Sequence, residues 1–293
     1  MEENITHPNT RLSQTNKSQK GFTLIELVIV IIVLGIVSVG ISGIVRSSMD
    51  AVVTVTERED LVREGSYLVE RFNRELASSV PNSVRISGNA LVHCVEFVPI
   101  EWSGIYLTLP LAGQTSNTAD LIELSDIDGR SYTPTNADFA VVYPTGASQV
   151  YDASLGHRRS VTSCSDDDND CSTLGDADKV IQLEVPDGFA QTSPSNRIYF
   201  AQEAVSYCMR DNQVYRHVSS IDETQTLYTT GGSLMAQNVV NQLGISPISG
   251  EQNPFQSIGA SFQRNAYTQA LFIFGREEER VTFMQEVQIP NVP

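Results

Sequence analysis

Residues 22–45, which begin Phe22-Thr23-Leu24-Ile25-Glu26-Leu27, form an apolar run with one ionisable side chain, Glu26. At 1.5 Å per residue, a helix over that run is roughly 36 Å long, enough to cross a bilayer once. No other segment approaches this length, so the pattern predicts a single-pass protein with nearly all its mass on one side. Lys17 and Lys20 precede the run, and the excess of basic residues on the cytoplasmic side of membrane helices places residues 1–21 in the cytoplasm. A secretory signal puts its apolar region first and a small-residue cleavage site after it. Here the order is inverted: residues 1–21 are polar, and Arg46-Ser47-Ser48-Met49-Asp50 follow the run without an A-x-A site. Glu26 is the anomaly. A carboxylate at the centre of a membrane helix costs on the order of 3 kcal/mol and persists only with a partner or a use. Phe22 and Glu26 are spaced i, i+4, so a free amine on Phe22 would neutralise Glu26 within the chain.

The rest of the chain is acidic, with 35 Asp+Glu against 19 Lys+Arg and a net charge of -16. Such a surface repels phosphate backbones, so a nucleic-acid partner is not expected. Cys94, Cys164, Cys171 and Cys208 contain no C-x-x-C pair, which fits two disulfides better than zinc. Four cysteines allow three connectivities. Cys164 and Cys171 bracket a short polar loop and are favoured as one pair, leaving Cys94 and Cys208, both in strand-like segments, as the other. Disulfides persist outside the cytoplasm, where the membrane reading puts the body.

No proline occurs between Phe22 and Val80, and helical spacing continues past the apolar run. Leu61, Leu68, Phe72 and Leu76 share one face, while Glu57, Arg58, Glu64 and Arg74 supply polar cover. The expectation is one helix of about 58 residues, roughly 87 Å, ending at Val80-Pro81. Gly35, Gly40 and Gly43 weaken it between its halves and permit close approach of neighbours. From Ser83 the period changes to two. Strands are expected at 91–98, 105–109, 138–143, 179–185 and 197–201. Val205 to Met209 and Val214 to Val218 flank a turn at Arg210-Asp211-Asn212-Gln213, and 269–274 and 281–289 flank Gly275 to Arg280. The polar stretches 113–120, 146–178 and 219–265 read as loops with short helical pieces, Leu234 to Leu243 being one candidate. One long helix followed by several short strands predicts an α+β chain, the helix packed on an antiparallel or mixed sheet.

Gly21-Phe22-Thr23-Leu24-Ile25-Glu26, with the polar leader before it, resembles the N-terminal signal of type IV pilins and type II secretion pseudopilins. The resemblance implies cleavage between Gly21 and Phe22 by a prepilin peptidase and N-methylation of Phe22. It implies that Glu26 pairs with the N-terminal amine of a neighbouring subunit during filament assembly. It divides the chain into a cytoplasmic leader (1–21), a membrane and filament-core helix (22–45), its amphipathic continuation (46–80) and a periplasmic β-rich head (81–293). The hairpin around Cys208 and the final Gln285 to Pro293 resemble J-type pseudopilins and W-type minor pilins. With the cysteine positions, they point to a minor pilin of a mannose-sensitive haemagglutinin pilus. Implied partners are other minor and major pilins, the peptidase, an inner-membrane assembly platform and the membrane itself. The alternatives are a J-like secretion pseudopilin and a pilus-tip adhesin for a surface carbohydrate or other ligand.

Two further patterns bear on ligands. Asp166, Asp168 and Asp170 have the first, third and fifth spacing of a calcium loop. Cys171 stands where such a loop wants Gly and Ala177 where it wants Glu, so a solvated acidic loop is the favoured reading and no cofactor is expected. Trp102 and Tyr106 flank Gly104, either as an aromatic platform for a ligand or as core and rim residues. His7, His93, His157 and His217 lie in no H-x-x-H or H-E-x-x-H setting, and no G-x-S-x-G or P-loop occurs. The chain is read as a non-enzyme.

Overall fold

In the computed structural model the described residues are 21–122, 132–165, 171, 180–244, 252–258 and 267–288. The chain divides into two compact units, Met1–Thr54 and Val55–Pro293. Helix α1 (Leu24–Ala77) is 54 residues long and unbroken at Gly35, Gly40 and Gly43. Its first half is rich in Val and Ile, which favour helix only weakly in water. In a bilayer the backbone must satisfy its own polar groups, and a helix does so within one segment. Ser38 and Ser42 follow the same logic: their hydroxyls donate to the carbonyls of Leu34 (2.6 Å) and Val39 (2.8 Å). At the far end, the backbone N–H and hydroxyl of Ser79 both bond the Leu76 carbonyl, and Pro81 prevents continuation.

The strands follow in chain order: β1 (Arg85–Gly88), β2 (Val92–Phe97), β3 (Trp102–Thr108), β4 (Thr118–Ile122) and β5 (Phe139–Val141). After the short helix α2 (Ala147–Tyr151) come β6 (Arg158–Ser160), β7 (Ser163–Ser165), β8 (Val180–Glu184), β9 (Arg197–Ala201), β10 (Ala204–Arg210) and β11 (Gln213–Ser219). The last four are β12 (Ser233–Ala236), β13 (Phe255–Ile258), β14 (Tyr267–Arg276) and β15 (Glu279–Gln288). They build three sheets: β1-β2-β10-β11-β12, β13-β14-β15 and β6-β5-β9-β3-β4-β8-β7. Every pair within the sheets is antiparallel. The α+β class is as expected, and of the two sheet types named, antiparallel is the one found.

The buried face of α1 is Leu61, Gly65, Leu68, Phe72 and Leu76, so the helical spacing located it. These side chains join Val95, Phe97, Val205, Tyr207, Phe272 and Phe274 in one core between the five-stranded and three-stranded sheets. Phe72 is its hub, with edge-on contacts to Tyr207 (ring centroids 5.3 Å) and Phe272 (6.3 Å). Gly65 was not foreseen. A Cβ there would lie inside the van der Waals surface of the Phe283 ring, so glycine lets β15 approach the helix. A second core, which includes Leu121, Leu183, Ile198, Phe189 and Phe200, belongs to the seven-stranded sheet.

Three expectations need correction. Leu234 to Leu243 contains no helix: β12 occupies its start, and Val239 bridges to Phe274. Pairing with β11 and β14 supplied hydrogen bonds that outweighed a weak local helical pattern. The supposed loop at 113–120 ends inside β4, and that at 146–178 contains, besides the short helix α2 of the kind expected there, the strands β6 and β7. These elements are three to five residues long, too short to display a period.

Candidate functional site

The helix begins at Leu24, so the Gly21–Phe22 peptide lies in exposed, non-helical backbone. Thr23 caps it. Its carbonyl accepts from the backbone N–H of Glu26 (3.1 Å) and Leu27 (3.2 Å), and its Oγ1 also accepts from Glu26 N–H at 3.4 Å. Thr23-Leu24-Ile25-Glu26 is thus the T-x-x-E pattern of a capping box, with Thr at the cap and Glu three residues on. That signal stands in the sequence and was missed there. Glu26 is also the acidic residue of the first turn, where unsatisfied N–H groups and the helix dipole favour a negative charge. The exposed carboxylate therefore sits at the one end of an apolar helix that tolerates it best. Its placement leaves it open to an amine from outside the chain.

Gly21 is instructive by contrast. A Cβ on Gly21 would meet nothing within 4 Å, and the same holds for Gly35, Gly40 and Gly43. Among the described residues the fold makes no steric demand for glycine at any of the four. Phe22, Leu24 and Ile25 are 79%, 82% and 63% exposed, and beyond them, Val28 apart, the apolar side chains are exposed as far as Val55.

In the Val55–Pro293 unit, Cys94 and Cys208 are joined, as are Cys164 and Cys171. Cys94 and Cys208 are separated by 114 residues in sequence yet stand opposite one another on β2 and β10, with Cα atoms 4.1 Å apart. Alternation explains their position. Val95, Phe97, Tyr207 and Met209 face the α1 core, so Cys94 and Cys208 face the other way, under Leu227 and Tyr228. The half-buried Arg85 and the buried Arg210 hold the segment that covers them. Arg85 donates to the carbonyls of Asp222 (2.8 Å) and Glu223 (2.6 Å), and Arg210 donates to those of Tyr228 (3.0 Å) and Gly231 (2.7 Å). Arg85 also pairs with Glu96 at 2.6 Å. Burial pushes the Glu96 carboxyl above its ordinary value, and Arg85 opposes that shift.

Asp166, Asp168 and Asp170 lie outside the described residues. Among the described residues, no group of three or more His, Cys, Asp or Glu is arranged to hold a metal ion. Trp102 and Tyr106 do not form a platform together. Tyr106 is buried, accepting from the Ser193 N–H (2.6 Å) and donating to the Ser193 carbonyl (3.2 Å). The half-buried Trp102 instead stacks on Tyr132, with centroids 5.6 Å apart and planes 4° from parallel. The Tyr132 hydroxyl donates to Asp138 at 2.5 Å. Buried His93 and His217 are each held down to about pKa 4, the first by burial and the second by burial and by the charge of Arg210.

Residues 16–42 match the family model of the prokaryotic N-terminal methylation motif. Comparison with curated proteins and with solved structures gave no match. The motif, the apolar helix that begins inside it and the antiparallel sheets that follow support a type IV pilin-like protein. The motif implies processing by a prepilin peptidase and association with a membrane, and the proteins that carry it in pili are structural rather than enzymatic.

Proposed function

We propose that the chain is a minor pilin that helps to initiate or cap a type IV pilus. The peptidase cuts between Gly21 and Phe22, and the processed subunit is stored in the inner membrane with its head in the periplasm. It then enters the filament as Glu26 engages the N-terminal amine of a neighbour. The observation that carries this reading is the Gly21 to Glu26 motif at the mouth of a helix whose apolar surface the chain itself leaves uncovered. Within minor pilins, the sequence resemblance favours the MshO subunit of the mannose-sensitive haemagglutinin pilus, with the other pilins and the inner-membrane platform as partners. Deleting the gene and imaging surface pili tests the role. Loss of pili that the wild-type gene restores and Glu26→Ala does not is the expected result, and normal piliation without the gene defeats it. A secretion pseudopilin is the nearest rival, and it predicts normal pili with defective protein export.

The Trp102–Tyr132 stack favours a second reading, a tip adhesin that takes a sugar ring on an aromatic face. In that case Trp102→Ala abolishes attachment while pili still assemble.

A further inference from the structure

Among the described residues the three sheets end in six outermost strands: β1, β12 and β13 of four residues, β6 and β7 of three, and β15 of ten. Short outermost strands are one way in which proteins prevent their sheets from pairing with other chains; charged side chains, above all lysine, proline and bulges are others. β15 is long, and its charges, Glu279, Arg280 and Glu286, are few and of both signs. Its register with β14 runs unshifted from Arg276–Glu279 to Tyr267–Gln288, and Glu279 to Gln288 contains neither lysine nor proline.

The two-residue turn Glu277-Glu278 closes on the pair Arg276–Glu279, so the odd-numbered residues of β15 direct their backbone groups to β14. The even-numbered residues from Arg280 to Gln288 then turn N–H and C=O away from the sheet, and their side chains are exposed as well. Met284, at the middle of the row, is 65% exposed beside Leu271. The strand is braced from its inner side, where Phe283 packs on Gly65 and edge-on against Phe274 (5.7 Å).

We propose that β15 is a docking edge that takes an extended segment of a different polypeptide as an added strand. A row of donors and acceptors at two-residue spacing is matched by the backbone of an extended chain, which identifies the class of partner. Side chains refine it. Arg280 and Glu286 stand on either side of Met284, so the complementary segment carries an acid opposite Arg280, an apolar residue opposite Met284 and a base opposite Glu286. A second copy is a poor occupant, because each chain bears a net charge of -16.

This inference does not depend on the pilus assignment, and its test needs only the full chain in the membrane of its own cells. A photo-crosslinking benzoylphenylalanine at position 284 (Met284→benzoylphenylalanine) is combined with Thr282→Pro, which deletes one outward N–H at a position where an edge strand accepts proline. Thr282→Val keeps the N–H, and Glu286→Pro deletes a second outward donor. Retained disulfides and an unchanged urea midpoint certify the fold. The expected result is a crosslink confined to one segment of one partner, weakened about tenfold by either proline and unchanged by valine. Absence of a crosslink, a crosslink to a second copy, or one indifferent to both prolines overturns the proposal. Should neither proline variant fold, amide exchange decides. The Thr282 and Met284 amides are expected to be protected in the membrane and to exchange freely in the purified chain; equal exchange in both overturns the proposal.

Discussion

Glu26 performs two physical tasks that a sequence shows as one letter. Its N–H closes the first turn on Thr23, and its carboxylate complements the N-terminal end of the helix dipole. The tasks can be separated. Thr23→Ala removes the cap at a cost of about 1 kcal/mol but leaves the charge, while Glu26→Gln keeps the shape and loses the charge. Under the pilin reading, both variants are cleaved normally and Glu26→Gln alone fails to enter the filament, as a surface-shear fraction would record. Gly65 permits a second test at this scale. Gly65→Ala improves helix propensity by about 1 kcal/mol yet forces the Phe283 ring to move, and overpacking of this kind costs about 1–3 kcal/mol. A net loss of about 1 kcal/mol is expected. A double-mutant cycle with Phe283→Ala should show strong non-additivity, since the second change removes the clash.

Among the elements, the hairpin β10–β11 was the most legible, because Asp211 and Asn212 tolerate the positive φ (48° and 58°) that a two-residue turn requires. β2 was legible as a strand but not as a strand buried on both faces. The α1 core covers His93, Val95 and Phe97, while Arg85 covers Glu96 and the Leu227–Tyr228 segment, more than a hundred residues further along the chain, covers Cys94. The pairing of Cys94 with Cys208 crosslinks two neighbouring strands and closes a loop of 114 residues, whereas Cys164–Cys171 closes one of 7. Chain entropy then assigns about 4–5 kcal/mol to the first bond and about 2–3 kcal/mol to the second. Replacing Cys94 and Cys208 by Ala should lower the urea midpoint well below that of the variant lacking Cys164 and Cys171. Equal effects would mean that strain or residual structure, rather than loop closure, sets the difference.

At the scale of the whole molecule, stability should depend on pH with a definite sign. His93 and His217 have folded values near 4 against about 6.5 when unfolded, so the unfolded chain takes up protons first as pH falls. Their contribution is complete above about pH 6.5 and is lost between 6.5 and 4. Glu75 adds to the same trend at lower pH. Burial raises its carboxyl, but hydrogen bonds from Arg216 (2.8 Å) and Arg71 (2.9 Å) lower it further, so its stabilisation is lost below 4.5. Glu96, shifted upward, works in the opposite sense. Unfolding midpoints measured from pH 7 to 4 should therefore fall, and a variant with both histidines changed to Asn should show a shallower fall. By itself the sequence determined the membrane-length helix, its buried face, the motif at its mouth and the antiparallel hairpins, because periodicity, capping and turn chemistry act over a few residues. Only the tertiary structure decided which strands share a sheet, that Gly65 admits Phe283, that Trp102 stacks on Tyr132 rather than Tyr106, and that β15 ends a sheet as its longest outermost strand. Those outcomes depend on which surfaces exclude water together, and the surfaces are assembled from residues far apart in the chain.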